Sequence, residues 1–130
     1  MNVLFVDDDA MNRRVVKDML QVVGAQMDEA DSAEAGLSKI GASDYQVILM
    51  DLRMPGMDGL AATRKIRSRT DDKARLPIVV VTADTSSDLE ERCMAAGADC
   101  IIKKPVAMGS LIDTIGRLLA RSAHSGVVLT

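Results

Sequence analysis

The sequence predicts an α/β domain in which five strand–helix units follow one another and all strands lie in one parallel sheet. Three observations predict it. Short apolar runs at residues 3–6, 47–50 and 78–81 alternate with stretches whose apolar residues recur every three or four positions. The runs are continuous and rich in Val, Ile and Leu, as strands buried on both faces are. Consecutive parallel strands joined by right-handed crossovers then require an open, doubly wound sheet with helices on both sides.

The elements follow in order. The run 3–6 ends on Asp7. A helix is predicted over 10–23, where Met11, Val15, Met19 and Val23 recur at four-residue spacing with Val16 and Leu20 beside them, and Gly24 stops it. Residues 25–30 form a weaker strand, polar enough for a sheet edge. Ser32 is placed to cap the next helix, with Ala35, Leu37 and Ile40 behind it. The run 47–50 ends on Asp51 and leads to a loop with Pro55 and Gly56. Asp58 is placed to cap a helix through Leu60, Ala61, Ile66 and Arg67. Pro77 opens the run 78–81, which ends on Thr82. A helix over 86–96 closes at Gly97, residues 100–102 are the last strand, and Lys103-Lys104-Pro105 ends it. The closing helix, 107–121, carries Leu111, Ile112, Ile115, Leu118 and Leu119 on one side. The expected architecture is flavodoxin-like (βα)5 with strand order 2-1-3-4-5. Residues 1–121 form one domain, and 122–130 read as a flexible tail or the start of a linker.

Composition narrows the function. The 130 residues are 48% hydrophobic, enough for a core without staples. With one Tyr and one Phe the core must be aliphatic, and Met11, Met19, Met27, Met50 and Met94 are expected to help fill it. Met54 and Met57 fall in the loop after Asp51, where a partner helix could meet them. A net charge of −3 argues against a nucleic-acid surface. Cys93 and Cys100 have no Cys/His cluster around them, so they read as buried free thiols. No apolar run approaches the roughly 20 residues that span a bilayer. The first run leads directly into acid, unlike a signal peptide. A cytoplasmic protein without membrane insertion is expected.

The chemistry collects at strand ends. Asp7-Asp8, Asp51, Thr82 and Lys104 each terminate a strand, and sites in open parallel sheets form beyond the carboxyl ends of the strands. Three carboxylates brought together repel one another, so a divalent cation, a lysine or protonation must offset them. Asp8 and Asp51 suit a hard cation such as Mg2+, with Asp7 as a direct or outer partner. Lys104 supplies a fixed charge for a phosphate oxygen, and Thr82 a hydroxyl. A carboxylate can itself be the nucleophile of phosphoryl transfer, forming an acyl phosphate.

These residues resemble the receiver domains of two-component signalling. The matching elements are Val6-Asp7-Asp8, the segment from Met50-Asp51-Leu52-Arg53-Met54-Pro55 through Gly56-Met57-Asp58-Gly59, Val81-Thr82-Ala83, Gly97-Ala98-Asp99 and Lys104-Pro105. They run in family order across residues 3–120. The resemblance implies that Asp51 is the phosphoacceptor and that Asp7, Asp8 and Asp51 bind Mg2+ together with the Arg53 backbone carbonyl. It also implies that Thr82 is the switch hydroxyl, that Lys104 contacts the phosphate, and that the Lys104–Pro105 bond is cis. The donor would be a histidine kinase or histidine phosphotransfer protein, docking near the first helix. The run Asn12-Arg13-Arg14-Val15-Val16 is similar to receivers attached to hybrid histidine kinases. A monomer or a weak phosphorylation-dependent dimer is expected. Such domains catalyse part of their own phosphorylation and hydrolysis and are not classed as enzymes.

Two features depart from the family pattern. Ile101 stands where relatives commonly carry an aromatic residue, so coupling between a ring and Thr82 is not available. Arg53 and Asp84 lie two residues beyond Asp51 and Thr82, where they either pair across the mouth of the site and shield the phosphoryl group or remain two solvated side chains. Rival functions are weaker. A haloacid-dehalogenase-type phosphatase needs an acid where Arg53 stands. A flavin binder needs a phosphate-cradling loop where Asp7-Asp8-Asp9 stands. The remaining alternative is a receiver-like module that signals by contact alone.

Overall fold

In a computed structural model the chain is described for residues 1–128, the side chains of 122–128 excepted. The order of elements is β1 (Asn2–Val6), α1 (Ala10–Val22), β2 (Gln26–Ala30), α2 (Ala33–Ala42), β3 (Val47–Asp51), α3 (Gly59–Arg67), a 3-10 turn (Asp72–Arg75), β4 (Ile78–Thr82), α4 (Leu89–Ala96), β5 (Cys100–Lys103) and α5 (Met108–Val128). The five strands are parallel and ordered β2-β1-β3-β4-β5, as expected, with polar β2 at an edge.

The sheet divides the core by strand alternation. Val3, Phe5, Leu49 and Val81 face α1 and α5, where Leu20, Leu111 and Ile115 meet them. Leu4, Val6, Ile48 and Met50 face the other side, with Ile40 of α2 and Ile66 of α3. A third cluster joins Leu52, Leu60 and Val80 to Leu89 and Cys93 of α4. Every residue of β3 and β4 is buried. Each large aliphatic side chain so buried contributes about 1.5–3 kcal/mol.

The helix starts follow their caps. The Asp9, Ser32 and Asp58 side chains accept from the backbone N–H groups of Met11, Ala35 and Ala61, satisfying donors that the first helical turn leaves free.

Several expectations need correction. Met11, Val15 and Val23 are exposed, and the buried face of α1 is Val16 and Leu20 with Met19 beside it. The four-residue spacing picked a neighbouring row on the helix, because both rows are apolar. Met94 is exposed too, whereas Met54 is buried in the core, not presented to a partner. Cys93 is buried and Cys100 half-buried. Helix α4 begins at Leu89, since the Ser86 N–H and hydroxyl both bind the Asp84 carboxylate and hold a turn there. Helix α5 continues through Val128, past the helix end expected at 121, with no proline to interrupt it; residues 129–130 lie outside those described.

Candidate functional site

Strand register sets the site. Val6 pairs with Met50, Asp51 with Val81, and Thr82 with Lys103. The carboxyl ends of β1, β3, β4 and β5 therefore stop side by side, and Asp7, Asp51, Thr82 and Lys104 emerge at one edge. The Asp7 N–H continues the β1–β2 ladder to Ala30 O at 3.0 Å, and the Lys104 N–H continues the β4–β5 ladder to Thr82 O at 2.8 Å. The peptide bond between Lys104 and Pro105 is cis.

All six sequence-predicted site residues line one open cleft. Lys104 lies at its centre, with Nζ donating to Asp51 Oδ1 at 2.9 Å and to Asp7 Oδ2 at 3.2 Å. Asp7 and Asp51 are buried, while Asp8 is exposed at the rim. Burial pushes the Asp51 carboxyl above its ordinary value; the Lys104 hydrogen bond opposes this, and the charges of Asp7 and Asp8 add to it. Burial works against the charged form of Lys104, but its bonds to Asp51 and Asp7 prevail and hold its pKa above the ordinary value. Lys104 thus keeps its charge while neutralising part of a three-carboxylate site.

One oxygen each from Asp7, Asp8 and Asp51 lie within 4.8 Å of one another. An all-oxygen set with net negative charge fits a hard divalent cation such as Mg2+. Among the described residues it is the one carboxylate cluster of this kind.

Thr82 is buried, and its Oγ1 accepts the Asp84 N–H at 3.0 Å. The hydroxyl is thus engaged with its own loop. The expected pair between Arg53 and Asp84 is present, with Nη2 to Oδ2 at 2.6 Å. The Asp84 side chain is 4% exposed and that of Arg53 is 76% exposed, so one partner is fixed and the other reaches over the cleft from solvent. The bonds from Ser86 and then Arg53 hold the Asp84 carboxyl well below the usual carboxylate range. Lys103 is exposed, and its Nζ donates to Asp84 O at 2.6 Å. Ile101 packs against the α4 cluster.

Sequence reasoning gave no role to Asn12 and Arg13. Asn12 Nδ2 donates to Asp7 Oδ2 at 3.3 Å and Arg13 Nη1 to Asp7 O at 2.7 Å. Their positions in the first turns of α1, just after the acidic pair, were the available signal.

The chain is similar to known proteins of one family. Residues 3–116 match the response regulator receiver domain family. Among relatives, Histidine kinase 5 of Arabidopsis thaliana is 32% identical over 90% of this chain and 15% of its own length. Hybrid signal transduction histidine kinase L of Dictyostelium discoideum is 38% identical over 94% of this chain and 7% of its own. The chain spans between 4% and 16% of the length of the curated relatives it matches. Among solved structures, the chemotaxis protein CheY4 of Vibrio cholerae superposes with a TM-score of 0.85 at 30% identity, covering 91% of this chain and 98% of that one. The receiver domain of sensor histidine kinase PA1611 from Pseudomonas aeruginosa, with a magnesium ion in its active-site cleft, gives a TM-score of 0.83 at 29% identity, covering 92% and 97%.

Proposed function

The chain belongs to the response regulator receiver domain family, and from that premise we propose that Asp51 is its phosphoacceptor. The observation that carries the reading is Lys104 bridging Asp51 and Asp7 at the floor of the cleft. One Asp51 carboxylate oxygen attacks the phosphorus of a phosphohistidine. A P–O bond forms, the P–N bond breaks, and its electron pair returns to the imidazole nitrogen, which takes up a proton. Lys104 moves with the charge, from the Asp51 carboxylate toward a phosphoryl oxygen. Thr82 offers its hydroxyl to a second phosphoryl oxygen. Asp8 and Asp51, with Asp7 and the Arg53 carbonyl, would hold Mg2+, which supplies charge stabilisation to the transferring phosphoryl group.

The donor is a histidine kinase or histidine phosphotransfer protein, as the kinase relatives suggest. The domain acts in the cytoplasm as residues 1–121, alone or as part of a longer chain, and it works as a monomer or a weak phosphorylation-dependent dimer. No helix among the described residues is long and apolar enough to cross a membrane. No feature of the site favours the reading as a phosphorylation-independent module.

Incubation with a small acyl phosphate and MgCl2, followed by intact mass spectrometry, tests this. One phosphoryl adduct is expected on the wild type and none on Asp51→Asn; an undiminished adduct on that variant would overturn the assignment.

A further inference from the structure

Arg13 has no part in the chemistry above, yet it is among the best-anchored side chains near the site. It is 16% exposed. Its Nε donates to Glu29 Oε1 at 3.1 Å, and its Nη1 donates to the Asp7 carbonyl at 2.7 Å. Glu29 belongs to β2 and is held in turn by Lys17 at 3.4 Å. The guanidinium is therefore a strap from the edge strand, across the base of α1, to the loop that follows β1.

The atom it grips matters. The Asp7 carbonyl belongs to the peptide unit joining Asp7 to Asp8, and that unit is planar. Holding its oxygen restrains the plane and so the place of the Asp8 Cα, from which the Asp8 carboxylate is carried. The rest of the turn is pinned as well. The Asp7 N–H binds Ala30 O at 3.0 Å, and Asp7 Oδ1 accepts the Asp9 N–H at 2.9 Å. Asn12 and Lys104 share Asp7 Oδ2. Asp8 alone of the three acids is exposed, so its place depends on the backbone that carries it.

We propose that Arg13 is a positioning residue for the divalent-cation site: by holding the Asp7 carbonyl it presents Asp8 to the metal, although it supplies no ligand atom. The inference rests on the reading of Asp8 and Asp51 as metal ligands. Its logic is opposite in sign to simple electrostatics. A guanidinium this close repels a dication, so if charge were its only effect, removing Arg13 would tighten binding. If it positions Asp8, removing it weakens binding. Lysine separates the two effects, because it keeps the charge and loses the planar fork that reaches both Glu29 and the carbonyl.

The test is calorimetric titration of the full chain with MgCl2, repeated with Mn2+ by electron paramagnetic resonance, on wild type, Arg13→Lys, Arg13→Gln and Glu29→Gln. Positioning predicts at least about 10-fold weaker binding for both Arg13 variants, as for other groups that orient metal ligands, and a smaller loss for Glu29→Gln. Thermal denaturation in chelator controls for folding, since a merely structural role lowers the melting temperature without changing affinity. Should Arg13→Gln fail to fold, Arg13→Lys and Glu29→Gln carry the comparison. Unchanged affinity in Arg13→Lys, or tighter binding in Arg13→Gln, would sink the inference and leave the phosphoacceptor reading standing. Absence of binding to the wild type would overturn the metal reading and the inference together.

Discussion

At the residue scale the site is a balance of charges. Asp7 and Asp51 are buried acids that share one lysine. Arg53 and Asp84 make the second pairing, and their unequal exposure suits a movable cover over a fixed anchor. We expect Arg53→Ala to speed loss of phosphate from Asp51 by about two- to fivefold, the effect of removing an exposed ion pair worth ~0.5–1 kcal/mol. Following the decay of the phosphorylated protein by mass spectrometry checks this, and an unchanged rate removes the shield. Away from the site, Tyr45 donates to Asp28 at 2.8 Å. Burial, with Asp28 beside it, pushes the Tyr45 phenol from 10.0 up to about 12. A raised pKa means the folded state keeps the proton longer, so this stabilisation is complete below pH 10.0 and is lost as pH rises through about 12. Urea denaturation across that window should show a steeper loss of stability for wild type than for Tyr45→Phe, which itself costs ~1 kcal/mol near neutrality.

At the element scale, α3 is packed onto the end of β3 with no room to spare. A Cβ on Gly59 would run into the carbonyl oxygen of Asp51, and the Gly59 N–H binds Leu52 O at 2.9 Å. Gly59→Ala must therefore push the helix away or shift the strand end that carries Asp51. A destabilisation of about 1–3 kcal/mol is expected, as for other overpacked sites, with slower phosphorylation by a small donor. Chemical denaturation and adduct formation measure the two effects. On the other flank, Ile101 fills part of the α4 cluster and Thr82 Oγ1 is tied to the Asp84 N–H. A switch that draws Thr82 toward Asp51 has to release that bond, which moves the loop leading to α4 without an aromatic ring.

At the scale of the whole molecule, the sheet brings together three acids from the ends of two strands, β1 and β3, at a cost that a cation offsets. Binding to the folded state alone raises stability, by about 2.7 kcal/mol at 100 times the dissociation constant. MgCl2 should therefore raise the melting temperature of the wild type by several degrees and leave Asp8→Asn nearly unmoved in a calorimetric scan. An equal rise in both would exclude Asp8 as a ligand.

Much of this was determined by sequence alone. Continuous apolar runs ending on Asp7, Asp51, Thr82 and Lys103-Lys104 name the strands and their termini, since burial on both faces demands such runs and charge ends them. Ser32 and Asp58 mark helix starts because their side chains satisfy local backbone donors. Only the tertiary structure decided which of two apolar rows on α1 is buried, where α4 begins, and which loop holds the Thr82 hydroxyl. It alone joined Arg13 to Glu29 and the Asp7 carbonyl. The buried row of α1 and the Arg13 bridge depend on contacts between segments distant in sequence, and periodicity within one segment carries no information about what it will face; the start of α4 and the Thr82 contact rest on local bonds to Asp84, which an apolar pattern does not report.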